Sequence, residues 1–311
     1  MNIKYINYIL VILLSGLLVV SGADCSSKKK VDTSATFIGG NQGLELSFVQ
    51  DMPPETNNYQ NEQFPISVLL KNKGEYPVKK DTVVVKIIKT FTDKNFKLTK
   101  PKSSTIHDLL PASKGLNNEI DYDDAIVDLG YATYTAQTMS PDYKPDLSVE
   151  ACYPYKTMFK LDKFCIPSTS RATEDQTCLI DQTKNLVTAN SNSGAPVQIT
   201  SIRQEIVQNA VRITLEISKL GDGKVIECVE NPESKDKNKI TVHINSPTDI
   251  NCGFTEGSGN SGIVILKSDN TAKLICEKAA VSGKAYNINF EASLDYSFTQ
   301  EVSKQVIIKK T

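Results

Sequence analysis

The sequence predicts an all-β protein built from two β-sandwich domains behind an N-terminal signal or anchor segment. Three observations predict it. Tyr286, Ile288, Phe290, Ala292, Leu294, Tyr296 and Phe298 alternate without a slip with Asn287, Asn289, Glu291, Ser293, Asp295 and Ser297. That period of two is the pattern of a strand with one buried face. Runs such as Thr82-Val83-Val84-Val85-Lys86-Ile87-Ile88 recur between turn residues, and β-branched side chains favour strands over helices. Six cysteines (Cys152, Cys165, Cys178, Cys228, Cys252 and Cys276) follow an apolar leader. An even set in an exported chain reads as three disulfides.

Residues 1–24 read as a signal peptide or membrane anchor. Lys4 and the amino terminus are positive, Ile9 to Val20 is apolar apart from Ser15 and Gly16, and Ser21-Gly22-Ala23 supplies the small residues of a cleavage site. Tyr5 to Ala23 is uncharged and comes close to the ~20 residues that span a bilayer, so cleavage and retention compete on length alone. Lys28-Lys29-Lys30 falls on the exported side and works against retention. Residues 25–36, rich in Ser, Lys and Thr, form a tether.

The first sandwich domain is expected over residues 37–187. Leu44 to Val49 alternates, Asp51 to Gln63 is a Pro-, Asn- and Glu-rich loop, and Phe64 to Leu70 is a strand. Asn72-Lys73-Gly74-Glu75-Tyr76-Pro77 turns the chain, since Gly tolerates positive φ and Pro sets the exit. Thr92 to Asp128 reads as irregular and polar with faint strand signals, and Leu147 to Phe159 returns to strand. Residues 188–196 have linker composition and mark the boundary. The second domain, 197–311, shows strand signals at Val197–Ile202, Ala210–Ile217, Lys224–Val229, Ile240–Ile244, Ile263–Lys267 and Ala272–Cys276. Gln204 to Val211 is the best helical candidate. The closing alternation spans ~40 Å at ~3.3 Å per residue, so a bend or bulge is expected, with Gln300 and Glu301 turning the chain and Val302 to Ile308 pairing back. Ile66 to Val78 aligns without gaps on Ile213 to Val225, each reading strand, glycine turn, strand, as two copies of one sandwich type.

Thirty-five Lys and Arg nearly balance 36 Asp and Glu, giving a net charge of −1. No net field draws in nucleic acid, and the lack of Trp weighs against a base-stacking platform. The six cysteines allow fifteen pairings. Cys152 with Cys165 and Cys252 with Cys276 are the local expectations, and three cysteines on each side of the boundary leave room for a bridge joining the two regions. No close C-x-x-C pair supports zinc, and no cofactor is expected. His243 falls on the polar phase of its strand and reads as solvent-facing. His107-Asp108 sits in a loop, with no G-x-S-x-G to support a nucleophile. Asp121, Asp123, Asp124 and Asp128, with Glu119, form the densest acidic cluster, a solvated loop by default and a calcium candidate as the alternative. Ala125 stands where an EF-hand loop needs a third Asp or Asn. Gly257-Ser258-Gly259-Asn260-Ser261-Gly262 matches the dinucleotide fingerprint, but a strand follows where a helix is required. Tyr131, Tyr134, Tyr153 and Tyr155 are read as core in preference to a contact patch.

Cys25, preceded by a small-residue stretch, resembles the modified cysteine of a lipoprotein and is the lipidation candidate; Asp24 departs from the Gly, Ala or Ser usual before it. The stretch Val68-Leu69-Leu70-Lys71-Asn72-Lys73-Gly74-Glu75-Tyr76-Pro77-Val78 resembles the opening of immunoglobulin-like modules of the cell-adhesion-related and NPCBM-associated kind. Phe37-Ile38-Gly39-Gly40, Gly43-Leu44, Cys152-Tyr153-Pro154-Tyr155, Thr157, Gly194-Ala195-Pro196-Val197 and Leu294-Asp295-Tyr296 carry a further resemblance, to a group of membrane-tethered archaeal secreted proteins. The resemblance implies two immunoglobulin-like domains displayed on the extracellular face of the membrane, in a binding, adhesion or envelope-structural role without catalysis. The expected partners are the membrane, through the N-terminus, and a surface protein or glycan, not nucleic acid. Two alternatives are an extracellular hydrolase or calcium-dependent domain using Glu119 to Asp128, and a filament subunit donating the strand Thr36 to Val49.

Overall fold

Alternating burial along the strands organises the structure, a computed structural model that describes residues 36–56, 58–88, 94–136, 142–168, 178, 180–208, 210–228, 237–280 and 284–310. The leader, Cys25 and Lys28 to Lys30 lie outside the described residues. Within them the regular structure is all strand: β1 (Leu44–Phe48), β2 (Asn58–Tyr59), β3 (Gln63–Asn72), β4 (Val84–Ile88), β5 (Phe96–Leu98), β6 (Lys102–Ser103), β7 (Ser113–Lys114), β8 (Ile120–Asp121), β9 (Asp123–Tyr134), β10 (Asp142–Tyr143) and β11 (Asp146–Ile166). The chain continues through β12 (Val197–Val207), β13 (Ala210–Lys219), β14 (Lys224–Val225), β15 (Lys239–Ser246), β16 (Asn251–Cys252), β17 (Glu256–Ser258), β18 (Ser261–Ile265), β19 (Thr271–Ala279), β20 (Tyr286–Gln305) and β21 (Ile308–Lys309).

Two four-stranded sheets, ordered β1-β3-β9-β5 and β12-β13-β19-β16, accompany one large sheet ordered β17-β18-β15-β20-β11-β4-β6. The connectivity repeats. In the first half β1 pairs β3, β3 pairs β9, and β4 pairs β11. In the second, β12 pairs β13, β13 pairs β19, and β15 pairs β20. The sequence echo of Ile66–Val78 with Ile213–Val225 is therefore an echo of β3 and β13, the second strand of each small sheet. The two repeats meet where β11 and β20 pair antiparallel almost end to end, Asp146 opposite Gln305 and Ile166 opposite Tyr286. At ~3.3 Å per residue each of these strands runs ~65 Å.

Inward residues of the sheets fill one continuous apolar cluster. Ile66, Val68, Leu70, Val127 and Leu129 line it from the first small sheet, Ile213, Leu215, Ile217 and Leu274 from the second, and Phe159, Phe164, Phe290 and Phe298 from β11 and β20. A fully buried side chain of this size contributes about 1.5–3 kcal/mol. Thr36–Thr311 accordingly form one compact unit, and strands from both sides of residues 188–196 share the large sheet. That stretch is packed, unlike an exposed linker: Ser191, Asn192, Ser193 and Ala195 are buried.

Four expectations about strands and turns change. Gln204 to Val211 is the β12–β13 hairpin, closed by Val207 opposite Ala210 with Gln208 at φ 52°; its apolar residues serve a strand period, not a helix. Gln300 and Glu301 do not turn the chain, because they stay in register with Ala151 and Glu150. The expected irregularity falls on the partner strand, where the register shifts between Leu161 and Phe164. The polar region up to Asp128 contains β5 to β8 and the start of the long strand β9, where the outward Asp124 and Asp128 mask the inward Ala125 and Val127.

The disulfides are Cys152–Cys228, Cys165–Cys178 and Cys252–Cys276. The second local pairing stands, since Cys252 and Cys276 lie opposite one another across β16 and β19. Cys152 does not pair with Cys165: both sit on β11, ~43 Å apart along an extended strand, far beyond the ~4.4–6.8 Å that a bridge allows between Cα atoms. Cys152 instead joins the two halves, with a Cα–Cα distance of 5.6 Å to Cys228.

Candidate interaction surfaces

The residues that carried the family resemblance come together in space. Glu75, in the turn after β3, accepts hydrogen bonds from the backbone N–H groups of Ile38 (2.8 Å), Gly39 (2.9 Å) and Gly194 (2.6 Å). One carboxylate thereby ties the approach to β1 to the approach to β12. The Tyr153 hydroxyl accepts from Leu44 N–H at 3.2 Å. The Tyr155 hydroxyl donates to Asn72 Oδ1 at 3.3 Å and accepts from Tyr76 N–H at 3.4 Å. Thr157 donates to the Val197 carbonyl at 2.5 Å. Its single proton is then used, so the Tyr296 hydroxyl 3.0 Å away is the donor between the two.

Close approach in this knot requires glycine at two matched positions. A Cβ on Gly74 would stand 2.0 Å from the Tyr155 hydroxyl, and one on Gly221 would stand 2.6 Å from Pro196 Cβ. These glycines follow β3 and β13, the echoed strands. Burial pushes the Tyr153, Tyr155 and Tyr296 phenols well above their ordinary range, so all three are neutral hydrogen-bonding groups at physiological pH. Their partners are backbone and neighbouring side chains. The knot holds chain crossings together and places no reactive group in solvent. Glu75 was missed in the sequence, although the glycines and the Tyr-x-Tyr-x-Thr spacing of β11 mark the place.

Outward residues of the large sheet form cross-strand ion pairs: Lys86 with Glu150 (3.0 Å), Lys156 with Asp295 (3.0 Å) and Lys160 with Glu291 (4.0 Å). Each pair is directly opposite in register. Exposed pairs of this kind contribute about 0–1 kcal/mol each. His243 lies on the same face, as its polar phase predicted. Its Nδ1 is 2.8 Å from Ser261 Oγ and its Nε2 is 3.6 Å from Asp295 Oδ2. This trio has the residue types of a nucleophilic triad. It lies on an open strand surface, however, where Val242 and Thr241 pair with Gly262 and Ile263 and the ladder uses the neighbouring backbone N–H groups that an oxyanion would need. A groove of about 480 Å³ beside it is lined by Tyr76, Pro154, Lys239, Thr241, Asp295 and Ser297. A second groove, about 430 Å³, lies against the knot between Asn41, Gln42, Glu45, Asp222 and Gln300.

The acidic cluster is spread along strands. Asp121 belongs to β8, and Asp123, Asp124 and Asp128 belong to β9. Asp124 and Asp128 point outward. Asp123 Oδ2 accepts from Leu110 N–H at 2.8 Å, and Asp128 Oδ1 from Gly130 N–H at 2.9 Å. Among the described residues no three His, Cys, Asp or Glu side chains converge on a point that could hold a metal. Asp108 accepts from Lys80 N–H and Lys79 Nζ, which hold its carboxyl below the ordinary range. Gly257 to Gly262 forms the β17–β18 turn, with Gly257 and Gly259 at φ 111° and 67°. Tyr134, Tyr153 and Tyr155 are core residues, and Tyr131 is exposed.

The chain is thus an all-β, disulfide-stapled sandwich protein. Three bridges of this kind belong to an extracellular or otherwise oxidising environment. No protein-family model matches the sequence, and no curated protein does. Among solved structures, the chain is remotely similar to the C-terminal globular domain of an oligosaccharyltransferase from Pyrococcus abyssi, at 8% identity and a TM-score of 0.21 over 86% of this chain and 48% of that one. A second is Escherichia coli alpha-2-macroglobulin activated by porcine elastase, at 8% identity and a TM-score of 0.17 over 86% of this chain and 32% of that one. The chain spans about half of the first and a third of the second, and at these scores neither likeness bears on function.

Proposed function

We propose that this is a surface-displayed protein with a binding, adhesion or envelope-structural role, held at the extracellular face of the membrane by its N-terminal segment or a lipid on Cys25. Each repeat is read as one immunoglobulin-like module. The observation that carries the proposal is the closure of an all-β body by three disulfides behind an apolar leader with small residues at its end. Sandwiches of this build present loops, hairpins and strand edges to other molecules. In this reading the protein is not an enzyme, and its partner is a surface protein or glycan.

Intact-mass measurement on protein from its native host tests the proposal. Processing at or before Cys25, an added lipid mass and no free thiols downstream are the expected results. Six reduced thiols, or an unprocessed chain recovered from the cytoplasm, would overturn it.

A further inference from the structure

We propose that the β7–β8 hairpin, with the outer side of β9, docks a protein partner that presents a lysine- or arginine-bearing apolar surface. The inference rests on the binding role proposed above and names the place and the chemistry.

Apolar exposure is concentrated here. Of the fourteen large hydrophobic residues exposed among the described residues, six lie between Ile106 and Ile126: Ile106, Leu110, Leu116, Ile120, Tyr122 and Ile126. Leu116 is fully exposed and Ile126 is 58% exposed. Single exposed apolar residues are ordinary, whereas several concentrated in one hairpin and the strand that follows it, with carboxylates between them, mark a contact surface. The hairpin is built to hold Leu116 out: Gly115 N–H donates to the Glu119 carbonyl and Asn118 N–H to the Gly115 carbonyl, with Asn118 at φ 60°. On β9 the outward sequence is Asp124, Ile126, Asp128, and Leu69 of β3 lies opposite Ile126, extending the apolar strip.

Charge decides among occupants. Glu45 lies opposite Lys71 across β1 and β3, Lys71 lies opposite Asp124 across β3 and β9, and Asp128 flanks Ile126 with Asp124; the hairpin adds the exposed Glu119 and Asp121 against Lys114, and Lys73 is the remaining cation. Lys73 is already paired with Glu45 at 2.9 Å, and Lys71 and Lys73 both lie over the Tyr122 ring, 5.6 and 5.9 Å from its centre. The net charge is negative around an apolar centre. Anionic lipid headgroups are repelled by such a rim. A second copy meeting face to face would set carboxylate against carboxylate. A basic, apolar protein surface satisfies both parts.

The test uses the disulfide-intact chain and a fluorescein-labelled peptide of alternating leucine and lysine, with a leucine–glutamate peptide of equal length and vesicles of neutral or anionic lipid as comparators. The lysine peptide is expected to bind, to weaken at least tenfold with Leu116→Ser/Ile120→Ser and about fivefold with Asp121→Asn/Asp124→Asn, and to weaken with salt. Melting temperatures should be unchanged, since these side chains are exposed. Equal binding of the two peptides, tighter binding to vesicles, indifference to both double variants, or a dimer on size exclusion that the Leu116/Ile120 variant dissolves would each overturn the proposal. Cross-linking on native cells separates its failure from that of the parent reading. A surface partner captured equally by parent and variants removes this site alone, and a parent chain that captures none removes the binding role.

Discussion

Replacing Glu75 should destabilise the whole molecule, although the residue belongs to a turn and lies outside the apolar core. Its carboxylate accepts from Ile38, Gly39 and Gly194 N–H at 2.8, 2.9 and 2.6 Å. Hydrogen bonds to a charged acceptor contribute about 1.5–3 kcal/mol each when buried, and the half-buried setting of Glu75 places each nearer 1 kcal/mol through solvent screening. Glu75→Ala removes all three and leaves the buried Gly194 N–H without an acceptor, a loss of about 3 kcal/mol. Glu75→Gln keeps the shape and one acceptor oxygen, for a loss of about 1–2 kcal/mol. In a body of this size 1 kcal/mol shifts the midpoint by about 2–3 °C, so the alanine variant should melt about 6–9 °C lower. Urea unfolding followed by circular dichroism, with disulfides intact, measures both variants. If Glu75→Ala stays within 0.5 kcal/mol of the parent, or if Gln and Ala cost the same, the carboxylate is not the tie described.

Three further outcomes are expected. Removing the Cys152–Cys228 bridge by paired alanine substitution reopens a separation of 76 residues; the chain-entropy model puts the loss at about 4–4.5 kcal/mol, measured by urea unfolding, and a loss under 1 kcal/mol would contradict it. Stability should form a plateau in pH. Hydrogen bonds from the Lys80 backbone, Thr183, Lys278 and Thr271 hold the carboxyls of Asp108, Asp181, Asp249 and Asp269 below their ordinary range, so their contribution is full above about pH 4 and is lost as pH falls through the folded values. Tyr153, Tyr155 and Tyr296 are raised by burial, so theirs is full below about pH 10 and is lost on further alkalinisation; melting temperatures rising outside this window would contradict both. Ser261→Ala should leave the melting temperature within about 1 °C of the parent, and a fluorophosphonate probe should not label Ser261; labelling abolished by His243→Ala would establish a nucleophile on the sheet face.

What was legible in the sequence was what local periodicity encodes. Phe290 to Phe298 alternates because every second side chain of β20 enters the core, so face and period follow directly. The echo of Ile66–Val78 in Ile213–Val225 was visible because both turns need a glycine where the chain crosses itself. What stayed hidden depends on distant pairing. Nothing near Gln300 reveals that Ala151 waits opposite it, so a polar pair read as a turn. Cys152 and Cys165 are near in sequence but rigidly separated by the strand that carries them. Glu75 looked like one more charged turn residue, because its three donors come from segments 36, 37 and 119 residues away.

The pairing of β11 with β20 has a consequence for proteolysis. Residues 181–185 are exposed, and trypsin can reach Lys184. A cut there leaves β11 on one fragment and β20 on the other, zipped along their full length and joined by sulfur through Cys152 and Cys228. Such a nicked molecule would migrate as one species on a non-reducing gel and as two after reduction, and in native buffer its fragments would travel together even with the sulfurs freed. The peptide link between the halves is then dispensable once folding is complete, and the two pieces, expressed separately, form a natural pair for fragment complementation.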